Sequence, residues 1–296
     1  MEGRVAIVTG AGRGIGQAIA LALATEGAAV VLAARTPSEL AVTEARVRSM
    51  NADCLAVPTD VGNREDVDHM VQSTLDRFGR IDVLVNNAGI QLPIGPFVEN
   101  DEEAWLQNLH VNLIGPLLCM RRVLPTMIER RFGKIINLSG GGATAPRVQF
   151  SAYGVSKTAL VRLTETVAEE VRPFNIQVNA IAPGAVNTRM LQEILDAGSL
   201  AGSELDAARA RQSQGGNSPE LAAQLAVFLA SDASGPLTGK LISAPHDDWQ
   251  NWDAAEITRL NESPWLTLRR LDSHTLRGFL DKTPRKVQAL HLPTSV

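Results

Sequence analysis

Tyrosine occurs once in the 296 residues, at Tyr153, and a lysine follows it four positions on, at Lys157. At helical spacing the two side chains share one face. A free phenol has a pKa near 10, too high for a base at neutral pH. A nearby ammonium favours the phenolate and lowers that value. Such a pair can move a proton to or from the oxygen of an alcohol or a carbonyl. A packed tyrosine beside a chance lysine would read the same in isolation, so the rest of the chain has to supply the context.

A dinucleotide site is the second chemistry. Thr9–Gly16 reads Thr-Gly-Ala-Gly-Arg-Gly-Ile-Gly and follows the apolar run Val5–Val8. Gly10, Gly14 and Gly16 let the backbone turn tightly and approach a pyrophosphate. The helix that follows offers free N–H groups and the positive end of its dipole to that anion. Roughly 20 residues further on, an NAD site usually carries an acid for the ribose 2′-hydroxyl. No acid stands between Glu26 and Glu39, and the second apolar run ends in Ala34-Arg35. Arg13 and Arg35 together suit a 2′-phosphate, which guanidinium matches in shape and charge. NADP(H) is favoured, and NAD(H) remains possible.

These residues need a scaffold, and the chain spells one out. Val5–Val8, Ala29–Ala33, Cys54–Val57, Val83–Val85, Lys134–Leu138, Gln177–Ile181 and Leu241–Ser243 read as strands. Gly16–Thr25, Ser38–Met50, Glu65–Phe78, Glu103–Arg130, Ser156–Val171 and Pro219–Ala230 carry helical spacing. Strand alternating with helix predicts an α/β fold, a doubly wound parallel sheet of Rossmann type covered on both faces. It occupies residues 1–244. Residues 245–296 hold three of the four tryptophans, Trp249, Trp252 and Trp265, with acids early and Arg269, Arg270, Arg277, Lys282, Arg285 and Lys286 late. They predict an extension, too small for its own core, packed on the main domain or a partner subunit.

Composition narrows the classes. A net charge of −4 excludes a generally basic nucleic-acid coat. The longest apolar stretches, Ala18–Ala24 and Ala28–Ala34, are too short to span a bilayer, and four residues before the first strand leave no room for a leader. Cys54 and Cys119 are the only cysteines, too few for a disulfide framework and suited to a reducing compartment. A cytoplasmic protein without nucleic-acid or membrane partners is expected. His246, Asp247 and Asp248 lie together but lack a second ligand cluster, so no metal is expected.

The motifs and their order resemble the classical short-chain dehydrogenase/reductase family over residues 1–244. The resemblance rests on Thr9–Gly16, Asp60-Val61, Asn86-Asn87-Ala88-Gly89, Asn112, Tyr153–Lys157, Pro183-Gly184 with Thr188, and Leu237-Thr238-Gly239. It implies that Gly10, Arg13, Gly14, Ile15 and Gly16 wrap the pyrophosphate and adenosine end, and that Asp60 and Val61 flank the adenine. Asn86, Ala88 and Gly89 lie along the cofactor, and Pro183, Gly184, Val186 and Thr188 line its nicotinamide end. Lys157 holds the nicotinamide ribose and tunes Tyr153. Asn112 keeps a water in a relay to Lys157. A homodimer or homotetramer is implied too, with Glu103–Arg130 and Ser156–Val171 at the interface.

One position departs from the family. Its catalytic serine stands 13 residues before the tyrosine, and that count from Tyr153 reaches Gly140. Ser139 is one residue early, which on an extended strand points to the other face; a glycine-rich backbone can rearrange and bring it round. Thr144, Ser151 or a backbone N–H are the other candidates for the substrate oxygen. Gln91, Gln149, Arg147 and Arg189 are candidate pocket residues, and 190–216 a lid. The expected activity is hydride transfer between NADP(H) and a carbonyl or secondary alcohol. The substrate is small and polar, a sugar-like or polyol ketone, with a 3-oxoacyl thioester as runner-up. The alternative is a sensor or assembly subunit in which Gly140 marks a lost active site.

Overall fold

The computed structural model describes residues 1–270. All seven expected strands form: β1 Val5–Thr9, β2 Ala29–Ala34, β3 Cys54–Pro58, β4 Val83–Asn86, β5 Gly133–Leu138, β6 Ile176–Ala182 and β7 Leu241–Ser243. They make one sheet in the order β3-β2-β1-β4-β5-β6-β7, and every pairing is parallel. Both faces of the sheet are covered, which is why β1, β4 and β5 are continuous buried runs and not alternating ones.

Helices α1 (Gly14–Thr25) and α2 (Pro37–Ser49) cover one face together with a later helix, Pro219–Ala230. Their core centres on Leu23, Leu32, Leu40 and Leu225. Helix α3 (Arg64–Phe78) lies on the other face, around Met70 and Leu84. Asn63 starts α3 by accepting the N–H groups of Glu65 and Asp66, and Gly79 ends it in the left-handed region at φ 71°.

The stretch expected as one helix, Glu103–Arg130, divides. Helix α4 (Glu102–Leu109) runs into a π turn at His110–Ile114 and then into α5 (Gly115–Arg130). Pro116 supplies a physical reason. Its ring crowds the carbonyl four residues back and it donates no hydrogen bond, so a wider turn relieves both problems. By length and composition Glu102–Arg130 could cross a membrane, but half of its apolar window is buried inside the fold. It packs against α3, β4, β5 and α6 (Ser151–Val171).

The expected lid is a pair of helices, α7 (Arg189–Ala197) and α8 (Glu204–Gln214). Met190, Leu191, Ile194 and Leu195 of α7 pack on Phe150 and Tyr153. Helix α9 is Pro219–Ala230. After β7 the chain forms α10, Ala254–Glu262. Trp249 and Trp252 lie against Phe228 of α9, with ring centroids 5.9 and 6.4 Å away. Lys240 donates to the carbonyls of Ser263 and Trp265, Leu241 N–H to Leu266 O, and Leu268 N–H to Glu165. Residues 245–270 thus pack on the sheet and on α6 and α9. Arg277, Lys282, Arg285 and Lys286 lie outside the described residues.

Burial pushes the ammonium groups of Lys134, Lys157 and Lys240 down to about 8 from an ordinary 10.5. The unfolded chain keeps these protons to higher pH than the folded one. Stability is therefore held down below pH 8 and rises as pH climbs from 8 toward 10.5. Cys54 and Cys119 are free and buried, and burial raises both thiols above 9.0, Cys119 to about 12. They act in the opposite sense once unfolded thiols ionise, so the cleanest window is pH 8 to 9. Urea unfolding should show a higher midpoint at pH 9 than at pH 8.

Candidate active site

The strand order reverses direction between β1 and β4, and in such sheets ligands bind beyond the carboxyl ends of the strands at that point. A cleft of ≈ 630 Å³ opens there. Gly10, Arg13, Gly14, Ile15, Arg35, Asp60, Val61, Ala88, Gly89 and Thr188 all line it. Gly16 lies beneath. A Cβ there would stand 2.3 Å from Asn87 Nδ2 and from Gly10 O, so the loop closes only on glycine. Gly10 and Gly14 have φ of 67° and 56°, which glycine alone adopts at no steric cost. Arg13 precedes α1 in extended conformation with no side-chain cap, leaving the first N–H groups of α1 open to the cleft.

Asn87 fixes this loop from β4, donating to Thr9 O and Gly10 O, while Thr9 Oγ1 accepts the N–H groups of Asn87 and Ala88. Asn86 donates to Asn137, and its own Oδ1 is buried without a hydrogen-bond partner among the described residues. Gly115 packs on Val61, and Asp60 holds its turn by accepting Gly62 N–H. On the far wall Pro183 is buried. Gly184 has φ 79° and abuts Asn217 and Pro245, and Val186 bridges to Asn217. Thr188 caps the cleft, since a Cβ on Gly14 would lie 3.4 Å from its methyl. Free N–H groups at a glycine turn, an orphaned amide oxygen and two arginines suit a dinucleotide.

The structure adds one residue beside the glycine loop. Thr43 Oγ1 donates to Ala11 O and lies within bonding distance of Gly12 O, so α2 is tied to the glycine loop. Glu39, in the first turn of α2, then reaches back. Its Cβ would be 2.9 Å from a Cβ on Gly12, and Arg13 Nη1 donates to its Oε1 at 2.5 Å. An acid from the next helix thus lies against the glycine loop, while Arg35 is exposed at the rim.

At the other end of the cleft Lys157 and Asn112 converge on the turn after β4, and Tyr153 lies beside Lys157, its ring centroid 5.6 Å from Lys157 Nζ. A Cβ on Gly89 would be 3.0 Å from Asn112 Oδ1 and 3.5 Å from Lys157 Nζ. Lys157 donates to Leu138 O at 2.8 Å. Asn112 sits in the π turn, accepts Ile90 N–H and donates to Ile90 O. Asn108 and Ser156 complete this buried knot by bonding Asn112 and each other. Tyr153 is buried, and its phenol is pushed up by burial and pulled back by the Arg147 charge.

Gly140 faces the phenol. A Cβ at that position would stand 2.3 Å from the Tyr153 hydroxyl and 3.1 Å from Cζ, so the tyrosine occupies the space a serine side chain would need. Ser139 makes no bond to Tyr153; its hydroxyl is buried without a partner among the described residues. Ser151 accepts Trp105 Nε1 and Thr144 is exposed. Gln91 donates to Met190 O, tying the turn after β4 to α7. Gln149 supports the next loop at φ 71°. Arg189 is exposed beside Glu193, whereas Arg147 is half-hidden against Phe150. Asp247 accepts Ser243 N–H, and among the described residues no group of three acids, histidines or cysteines could hold a metal.

The family model for short chain dehydrogenase matches residues 4–198. The chain is a short-chain dehydrogenase/reductase. It is 38% identical over 245 residues to a short chain dehydrogenase/reductase of Aspergillus oryzae, covering 82% of this chain and 94% of the relative. An NAD⁺-bound xylitol dehydrogenase superposes with TM-score 0.76 at 31% identity, covering 82% of this chain and 97% of that one. An actinorhodin polyketide ketoreductase with NADPH does so with TM-score 0.76 at 30% identity, covering 81% and 95%. As a member of this family the chain is an oxidoreductase acting on CH–OH groups with a nicotinamide dinucleotide. Sequence reading did not reach Asn108, Ser156 or Glu39, whose partners lie far away along the chain.

Proposed function

We propose that this dehydrogenase/reductase is NADP(H)-dependent and interconverts a carbonyl and a secondary alcohol on a small polar substrate. The observation that carries the reading is the gathering of Asn112 and Lys157 at Gly89, which lines the dinucleotide cleft, with the ring of Tyr153 5.6 Å from Lys157 Nζ and its hydroxyl against Gly140. When bound, the nicotinamide supplies or accepts the hydride. Tyr153 exchanges the proton with the substrate oxygen. Lys157, neutral or charged near pH 8, tunes the phenol and holds ribose hydroxyls, and Asn112 supports its relay. The second contact to the substrate oxygen falls to Ser139, whose hydroxyl is buried without a hydrogen-bond partner among the described residues. The apolar inner face of α7 shuts water out.

Arg13, Gly14, Ile15 and Gly16 hold the pyrophosphate, and Arg13 with Arg35 the 2′-phosphate. The xylitol dehydrogenase likeness supports a polyol or sugar-like ketone, and the polyketide ketoreductase likeness supports the runner-up, a 3-oxoacyl thioester. Assembly as a homodimer or homotetramer in the cytoplasm belongs to the same reading. A carbonyl panel run with NADPH and NADH side by side tests it. Turnover selective for NADPH supports the reading, and NADH preference overturns the arginine assignment. Glu39 moderates that selectivity by occupying Arg13. Glu39→Gln should raise the NADPH-to-NADH affinity ratio about fivefold, the scale of one exposed ion pair, by equilibrium fluorescence titration.

A further inference from the structure

Arg147 stands in the loop between β5 and α6, and its setting is not that of a surface arginine. Its side chain is 14% exposed. The guanidinium carbon lies 3.8 Å from the Phe150 ring centroid and 5.7 Å from the Tyr153 ring centroid. Lys157 Nζ lies at nearly the same distance from that ring, 5.6 Å. Gly142 makes room for the arginine, since a Cβ there would press on Arg147 Cβ at 3.2 Å. Nη2 donates to Glu204 Oε2 at 3.0 Å, and Arg211 Nη2 lies 3.7 Å from the same oxygen. Glu204 and Arg211 both belong to α8, so the lid helix touches the arginine that touches the tyrosine.

We propose that Arg147 is a positioning residue that acts as a second cation on Tyr153, and that Glu204 sets how much of its charge the phenol feels. This rests on the reading of Tyr153 as the proton-exchanging group. A half-buried cation near an aromatic ring is poorly screened and favours the phenolate. Lys157 cannot do this alone across the working range, because its ammonium is lost near pH 8. A guanidinium keeps its charge at any working pH. Burial lifts the phenol, and Arg147 is the charge that opposes that lift.

The charged surroundings of Tyr153 are few. Lys157 comes from α6, Arg147 from the loop, and Glu204 and Arg211 from α8. Glu193 and Arg189 of α7 pair with each other toward the cofactor cleft. Helix α4 turns Asn108 inward while Glu102 and Glu103 are exposed. With α8 docked, the Glu204 carboxylate offsets part of the Arg147 charge. With α8 lifted, the phenol faces the guanidinium undiminished and becomes the stronger acid.

Because the chain holds a single tyrosine, tyrosinate absorbance reports Tyr153 alone. A rapid pH jump on the full-length protein reads it before the chain unfolds. Arg147→Gln should move the midpoint up by about half a pH unit or more, Arg147→Lys should restore most of the shift, and Glu204→Gln should move it down. An unchanged midpoint in Arg147→Gln, or no recovery in Arg147→Lys, would overturn the proposal. If Arg147→Gln fails to fold, the Lys and Glu204→Gln midpoints decide: a Glu204→Gln midpoint at or above that of the unmodified protein sinks it. Should Tyr153→Phe retain turnover, the catalytic reading fails on its own, while the tyrosinate midpoints still judge Arg147.

Discussion

Tyr153→Phe should lower kcat about 10²–10⁴-fold, the usual contribution of one positioned proton donor. The substitution removes only the hydroxyl, and the ring keeps its place among Ile94, Phe150 and Ile194. Cofactor affinity should therefore change less than about threefold, and thermal stability little, because among the described residues the lost oxygen makes close contact with Gly140 and no hydrogen bond. Steady-state kinetics beside equilibrium cofactor binding separates the two quantities. A variant that keeps its turnover would remove Tyr153 from the chemistry.

Gly140→Ser puts back the residue the family expects and should nevertheless harm the enzyme. Its Cβ would fall 2.3 Å from the Tyr153 hydroxyl, far inside van der Waals contact. The ring cannot retreat freely, because α7 packs on it from the other side. Displacing a proton donor by an ångström costs about 10²-fold in rate, and overfilling a packed site costs about 1–3 kcal/mol. Gly140→Ala, which adds the Cβ without a hydroxyl, should show the same loss and so isolate the steric cause. Kinetics and thermal melts of the two variants check this. A Ser variant faster than the unmodified enzyme would mean that the ring yields and that a serine hydroxyl serves better than what the chain now uses.

The scaffold was legible because its physics is local. Strands buried on both faces read as largely apolar runs, as β1 and β2 do. The glycine turn and the Tyr153–Lys157 spacing also lie within a few residues of each other. The lid was less legible. Helix α8 has little apolar periodicity beyond Leu205 and Ala208, and α7 is only nine residues long. The π turn escaped because it interrupts a spacing that looks continuous on either side. Glu39 escaped because its closeness to Gly12 depends on how α2 folds back over the loop, fixed by Thr43. The seating of Arg147 depends on the left-handed turn at Gln149, a residue that seldom adopts it.

The bond from Leu241 to Leu266 has a consequence for what this sheet can join. β7 is the outermost strand on its side, and an uncovered outermost strand offers unpaired backbone groups to any passing strand, including the same strand of another copy. Here Leu241 N–H is already spent on Leu266, and the Lys240 ammonium clasps the same segment from Ser263 to Trp265. The chain therefore shields its own margin, and copies that associate on this side meet side chains and helix surfaces instead of extending one another's backbone ladder.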